Sequence, residues 1–266
     1  MASKLDEIVA AARARVADAK SIADVQSLER RAADHQPRGF RSRLQHTSRS
    51  GPAIIAELKK ASPSKGLIRA DFPVAELARE LEAAGASALS VLTDEQFFQG
   101  SLHNLELASK ATALPCLRKD FIIDEFQLLE AGAYRADAIL LIVAALAQNE
   151  LTDLYAKARE FDFDVLCEVH NAPELARAID AGCDTIGVNN RNLHTFEVSL
   201  GTSLQLVELM PRNILKVAES GIDSGDDIAQ LRAAGFDAFL IGESLMRAPH
   251  PGEALKALLA RATATV

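Results

Sequence analysis

The sequence predicts an α/β protein, a (β/α)8 TIM barrel with an N-terminal helical extension. Three observations predict it. Eight short β-branched or Leu-rich runs recur from Ala53 onward, with Ala/Leu/Glu-rich stretches of helical spacing between them. Several of those stretches end in "AAGA", "EAGA", "DAGC" or "AAGF", where a Gly caps the helix before the next strand. Eight such units fit a closed barrel, a fold of about 250 residues, within the 266 residues of the chain.

Taken in order, the strands are "AIIAELK", "ASALSVLT", "LPCLRK", "DAILLIV", "DVLCEVH", "TIGVNN", "ILKVAES" and "DAFLIG". Seven helical segments alternate with them, from "FPVAELARELEAAGA" to "SGDDIAQLRAAGF", and "HPGEALKALLARATA" follows the eighth strand. Residues 1–50 stand outside this rhythm. They read as two helices, about Ser3 to Lys20 and Asp24 to Ala33, followed by a basic polar segment, "RGFRSRLQHTSRSG". That is too little for an independent domain, so the chain is read as one barrel domain, with 1–50 as an extension and 51–266 as the barrel. The extension is expected to pack on the barrel, with a mobile lid as the other reading. An open doubly wound sheet is the competing architecture. The glycine-rich turns that would mark a nucleotide-binding sheet, GxGxxG or Walker A, are absent.

Composition narrows the function. A net charge of −8 argues against a general nucleic-acid binder. The three cysteines, Cys116, Cys167 and Cys183, form no CxxC pair and no disulfide framework. The longest apolar run, "AILLIVAALA", is too short to span a bilayer. A soluble, cytoplasmic protein is expected.

Barrel chemistry belongs at the C-terminal mouth, because the interior is packed. Polar groups do gather at strand C-termini: Glu57 and Lys59; Arg118, Lys119 and Asp120; Glu168 and His170; Asn189, Asn190 and Arg191; Glu219 and Ser220. Strand phase sorts them further. Glu57 and Lys59 share a face with Ala53 and Ile55, Lys119 with Leu117, and Glu168 with Leu166, so each charge rises above a barrel layer. Arg118 falls on the helix side and reads as structural. His170 is in phase with Glu168 but further out, which favours a loop or capping role. The other histidines are scattered, and no HExxH set appears, so no metal is expected. Loops after the seventh and eighth strands of such barrels often hold phosphate on backbone amides. Ser220-Gly221 and Gly242-Glu243 fall there, although the Glu243 carboxylate would repel an anion unless it pointed away.

These segments resemble indole-3-glycerol phosphate synthase. The matching pieces are "IIAELKKASPSKG", "LSVLTDEQFFQGS", "LPCLRKDFIIDEFQ", "LLIVAAL", "CEVHN", "IGVNNRNL", "VAESGI" and "LIGESLM", in family order from Ile54 to Met246. The resemblance implies an enzyme that closes the pyrrole ring of 1-(2-carboxyphenylamino)-1-deoxyribulose 5-phosphate, releasing carbon dioxide and water, without metal or organic cofactor. It implies catalytic roles for Glu57, Lys59, Lys119 and Glu168. Ser62, Phe121, Asn189, Arg191 and Glu219 are the implied substrate contacts, and Ser220, Gly221, Gly242 and Glu243 the implied phosphate cradle. Many family members carry Ser where this chain has Glu243. Lys119 is the expected acid, its pKa lowered by crowding with Lys59. The expected partner is a phosphorylated small molecule, with no nucleic acid and no membrane. A monomer is expected, and contacts with other enzymes of the pathway are compatible with the reading. Two rivals are a sister barrel such as phosphoribosylanthranilate isomerase, which has a Cys where this chain has Glu57 and Lys59, and a barrel that binds a phosphosugar without turning it over.

Overall fold

Eight parallel strands close into a barrel in the computed structural model, which describes residues 3–192 and 196–264. The strands are β1 (Ala53–Leu58), β4 (Ala88–Leu92), β5 (Cys116–Lys119), β6 (Ala138–Ile142), β7 (Asp164–Val169), β8 (Thr185–Asn189), β9 (Leu215–Glu219) and β10 (Ala238–Ile241). They run round the barrel in chain order, and β10 closes the ring onto β1. Two strands too short to show in the sequence pattern, β2 (Ala61–Ser62) and β3 (Gly66–Leu67), make an antiparallel hairpin just beyond β1.

Helices α1 (Lys4–Ile22), α2 (Val25–Ala33) and α3 (Phe40–Ser48) precede the barrel. Around it lie α4 (Val74–Ala83), α5 (Glu95–Phe98), α6 (Leu102–Ala111), α7 (Phe126–Ala133), α8 (Gln148–Glu160), α9 (Ala172–Asp180), α10 (Gly201–Val207), α11 (Gly225–Ala233), α12 (Glu243–Arg247) and α13 (Pro251–Ala264). No helix among the described residues is long and apolar enough to cross a membrane.

The glycine punctuation holds at three of four places. Gly85, Gly182 and Gly235 follow their helices with φ of 101°, 81° and 108°, the left-handed turn that ends a helix without a Cβ clash. Gly132 differs: it lies inside α7, and Arg135 takes the left-handed position instead, with φ 67°. A Cβ on Gly132 would stand 3.0 Å from the Cβ of Ala32, so this glycine lets α2 come close to α7.

Two apolar layers form the core. One lies between the helices and the outer strand faces, with Ile54, Leu89, Ile139 and Phe239 among its members. The other fills the barrel, with Ala53, Ile55, Leu117, Leu140, Leu166, Val217 and Leu240. Phe40 and Leu44, both fully buried, join the inner layer. They come from α3, which forms where the sequence reading left a basic polar segment. That helix shows only two large apolar residues, one turn apart, and both plug the N-terminal end of the barrel.

Asp137, fully buried at the same end, ties the extension down. Its carboxylate accepts hydrogen bonds from the Arg38 amide at 2.7 Å, Arg38 Nη2 at 2.6 Å and the Cys116 amide at 2.6 Å, with His35 Nε2 at 3.1 Å. Burial alone would raise this carboxyl, but the bonds from His35 and Arg38 outweigh it and hold the pKa below the ordinary value. At the opposite end, α1 lies across the mouth. Arg15 binds Asp94 at 2.6 Å and Asp120 at 2.7 Å.

Candidate active site

The strand phase read from the sequence is the phase in the barrel. Ala53 and Ile55 of β1 are interior, and Glu57 rises above them; Leu117 of β5 carries Lys119 above it, and Leu166 of β7 carries Glu168. These three charged groups and Lys59 border one cavity of ≈150 Å³ at the C-terminal mouth. Of the thirteen site residues taken from the sequence, this cavity is lined by Glu57, Lys59, Ser62, Lys119, Phe121, Glu168, Asn189, Arg191, Glu219, Ser220 and Glu243. Gly221 and Gly242 stand in the backbone next to it.

Lys119 sits between two acids. Its Nζ is 2.8 Å from Glu168 Oε2 and 3.0 Å from Glu219 Oε2. Lys59 pairs with Glu57 at 2.6 Å. This arrangement reverses the expected titration of Lys119. Burial alone would depress it, but Glu168, Glu219 and Glu57 together carry it above the ordinary lysine range. The acids divide in turn. Burial pushes Glu219 up to about 7, aided by the charges of Glu168 and Glu57 and opposed by Lys119. Glu168 is equally buried, yet Lys119 and His170 hold it below the ordinary carboxylate range. Two carboxylates around one lysine therefore differ in their grip on a proton, which is how a site keeps an acid and a base side by side.

Two glycines make room for these acids. A Cβ on Gly187 of β8 would lie 2.1 Å from Glu219 Oε1, and one on Gly242 would lie 2.5 Å from Glu57 Oε1. The sequence reading gave Gly242 to an anion alone; its missing side chain also seats Glu57. Ser220 and Gly221 follow β9 with φ of 65° and 71°. Gly221 also has no space for a Cβ, since Val198 Cγ1 stands 2.3 Å from that position. Glu243 does not point away from the rim. Its carboxylate faces Arg247 at 3.1 Å, Arg191 at 3.6 Å and Lys65 at 3.8 Å, so cations surround the charge that would repel an anion.

The apolar wall joins Phe121 to Phe98, rings tilted by 38° at 6.4 Å, with Leu140 and Leu240 below. Ile8 of α1 reaches the same cavity, and no sequence signal marked it. Arg118 is structural, as its phase indicated: it is buried and binds Asp120 and Glu130, each at 3.1 Å. His170 does more than cap. Its amide donates to Glu174 at 2.8 Å, as a capping role requires, but its ring also lies 3.4 Å from Glu168. Leu193, which belongs to a motif quoted above, and His194 lie outside the described residues.

Paired lysines and carboxylates line the C-terminal mouth of a closed (β/α)8 barrel, the face on which enzymes of this barrel class carry their active sites. Comparison with known proteins narrows the class. The family model for indole-3-glycerol phosphate synthase matches residues 5–258, and the chain belongs to that family. It is 58% identical over 259 residues to the indole-3-glycerol phosphate synthase of Koribacter versatilis, covering 97% of this chain and all of the relative. It is 48% identical over 256 residues to that of Burkholderia ambifaria, covering 96% and 98%. Among solved structures, 3-hexulose-6-phosphate synthase from Salmonella typhimurium aligns with a TM-score of 0.64 at 11% identity, covering 80% of this chain and all of that one. Thiamine phosphate pyrophosphorylase from Pyrococcus furiosus aligns at 0.61 and 17%, covering 83% and 99%. At such identities these two show the shared fold alone.

Proposed function

We propose that the barrel mouth closes the pyrrole ring of 1-(2-carboxyphenylamino)-1-deoxyribulose 5-phosphate to form indole-3-glycerol phosphate, a carboxy-lyase reaction of tryptophan biosynthesis. The observation that carries this is Lys119 held between Glu168 and Glu219 at 2.8 and 3.0 Å, with the Glu57–Lys59 pair in the same cavity.

The chemistry uses what the cavity offers. The aryl carbon bearing the carboxylate attacks the ribulose carbonyl carbon, and the carbonyl oxygen gains a proton. Lys119, protonated throughout the neutral range, supplies it. Loss of carbon dioxide returns the bonding pair to the ring and restores its aromaticity. The new hydroxyl then leaves as water, protonated by Lys59, while Glu168 or Glu57 takes the ring proton as the double bond forms. Before it departs, the anthranilate carboxylate lies against Lys59. Phe121 and Phe98 pack against the aryl ring, Asn189 and Arg191 orient the anthranilate end or the ribulose hydroxyls, and Ser62 lines the rim. The phosphate rests on the backbone amides of Ser220, Gly221, Gly242 and Glu243, where positive φ at the first pair turns the main chain toward the ligand.

The chain has no Trp, so product emission appears on a dark background. Mixing the protein with the carboxyphenylamino substrate is expected to raise indole fluorescence. No rise refutes the reading. Lys119→Ala is expected to lower kcat by at least 100-fold, within the usual range for a lost general acid; wild-type turnover by this variant refutes the assigned acid and leaves the reaction standing.

A further inference from the structure

We propose that His170 is a positioning residue for Glu168: an imidazolium bridging Glu168 and Glu174 that fixes one of the two carboxylates available as base. This rests on the ring-closing reading above. The geometry is a chain of charges leading out of the cavity. Lys119 Nζ meets Glu168 Oε2 at 2.8 Å. The other Glu168 oxygen, Oε1, faces His170 Nε2 at 3.4 Å. On the far side of the ring, Nδ1 lies 3.0 Å from Glu174 Oε2. Glu174 is itself held, accepting from the His170 amide at 2.8 Å and Asn171 Nδ2 at 2.6 Å.

Nδ1 is within hydrogen-bond distance of Glu174 Oε2, and Nε2 stands at ion-pair distance from Glu168 Oε1, so a protonated ring faces an acid on each side. Nε2 is buried and makes no hydrogen bond, and Glu168 Oε1 at 3.4 Å is the carboxylate oxygen it stands against. The side chain is only 10% exposed, so water does little to screen the pair. The charged groups around Glu168 are Lys119 of β5 and His170 beyond β7, with Glu219 of β9 and Glu57 of β1 beyond Lys119. Around His170 they are Glu168 and Glu174. Two acids on one ring raise it to about 9 against burial, so it keeps its proton at neutral pH. With Lys119 on one oxygen and His170 beside the other, Glu168 is flanked by a cation on each side where it lines the cavity.

The test compares His170→Asn, Glu174→Gln and the unaltered chain by indole emission from pH 7 to 10. The unaltered chain is expected to lose kcat with an alkaline limb near pH 9, as the ring deprotonates. His170→Asn should show kcat lower by about tenfold, the cost of a base held loosely, with KM within about twofold and no limb near 9. Glu174→Gln should keep the limb but move it to lower pH. In parallel, ring 15N shifts follow the His170 titration, and Glu168→Gln should lower its midpoint. Were His170→Asn to retain the same kcat and the same limb, or Glu168→Gln to leave the midpoint in place, the inference would fall. No turnover by the unaltered chain would remove the underlying reading instead.

Discussion

Replacing Asp137 with Asn separates what holds this barrel together from what makes it react. Asp137 is fully buried and bonds to Arg38, His35 and the Cys116 amide. Asn keeps the shape and removes the charge. One side-chain oxygen can still accept from the Arg38 amide. The new NH2 group must face donors, the Cys116 amide and Arg38 Nη2. Removing one partner from a buried ion pair costs about 3–5 kcal/mol. The Arg38 side chain is 23% exposed, so water recovers part of that loss and the lower end, about 3 kcal/mol, applies. With a urea m-value of about 3 kcal/mol per molar, the midpoint should fall by about 1 M. Far-UV circular dichroism in a urea series measures it. Because the network sits at the end of the barrel opposite the mouth, kcat in the indole assay should stay within about twofold of wild type. A midpoint shift below about 0.3 M would refute the energetic argument. A tenfold loss of kcat with the midpoint unchanged would refute the division between the two ends.

Two further predictions concern the mouth. Gly187→Ala puts a methyl where Glu219 Oε1 lies, 2.1 Å away, and should lower kcat by about 100-fold by displacing that acid from Lys119; near-normal turnover would show that Glu219 can act from elsewhere. Stability should fall as pH rises from 5 to 9. Glu219, raised to about 7 from an ordinary 4.5, disfavours the fold as pH climbs through that interval. His170, raised to about 9 from 6.5, contributes stability present in full below 6.5 and lost through 9. A urea midpoint that increases across this range would overturn both assignments.

The barrel was legible because its eight strands are short apolar runs and several of the helices between them end in a Gly turn. Period and turn chemistry are local, so they survive in the sequence. Gly132 shows where local signals stop: "EAGA" looks like a helix end, but a neighbouring helix needed the space. The segment that became α3 was hidden for the opposite reason. Its helix is polar except for Phe40 and Leu44, and what fixes it is the open end of a barrel built from residues far ahead. In the site, residue types and strand phase placed Glu57, Lys59, Lys119 and Glu168 together. The direction in which Lys119 titrates was not legible, since it depends on which charge lies nearest. A sequence shows two lysines in one mouth; only the fold shows that one is spoken for by Glu57 and the other by two acids. His170 was in view but set aside, because phase cannot tell how far a ring reaches.

The plug formed by α3 makes this barrel something other than a self-sufficient ring of eight repeats. Its lower opening is stoppered by a piece that precedes the first repeat, so the hydrophobic interior is finished only when that piece has docked. A circular permutant opened between two repeats should therefore tolerate its new ends as long as residues 40–48 travel with it, whereas a chain trimmed to begin at Ala53 would expose the bottom of its own core to water.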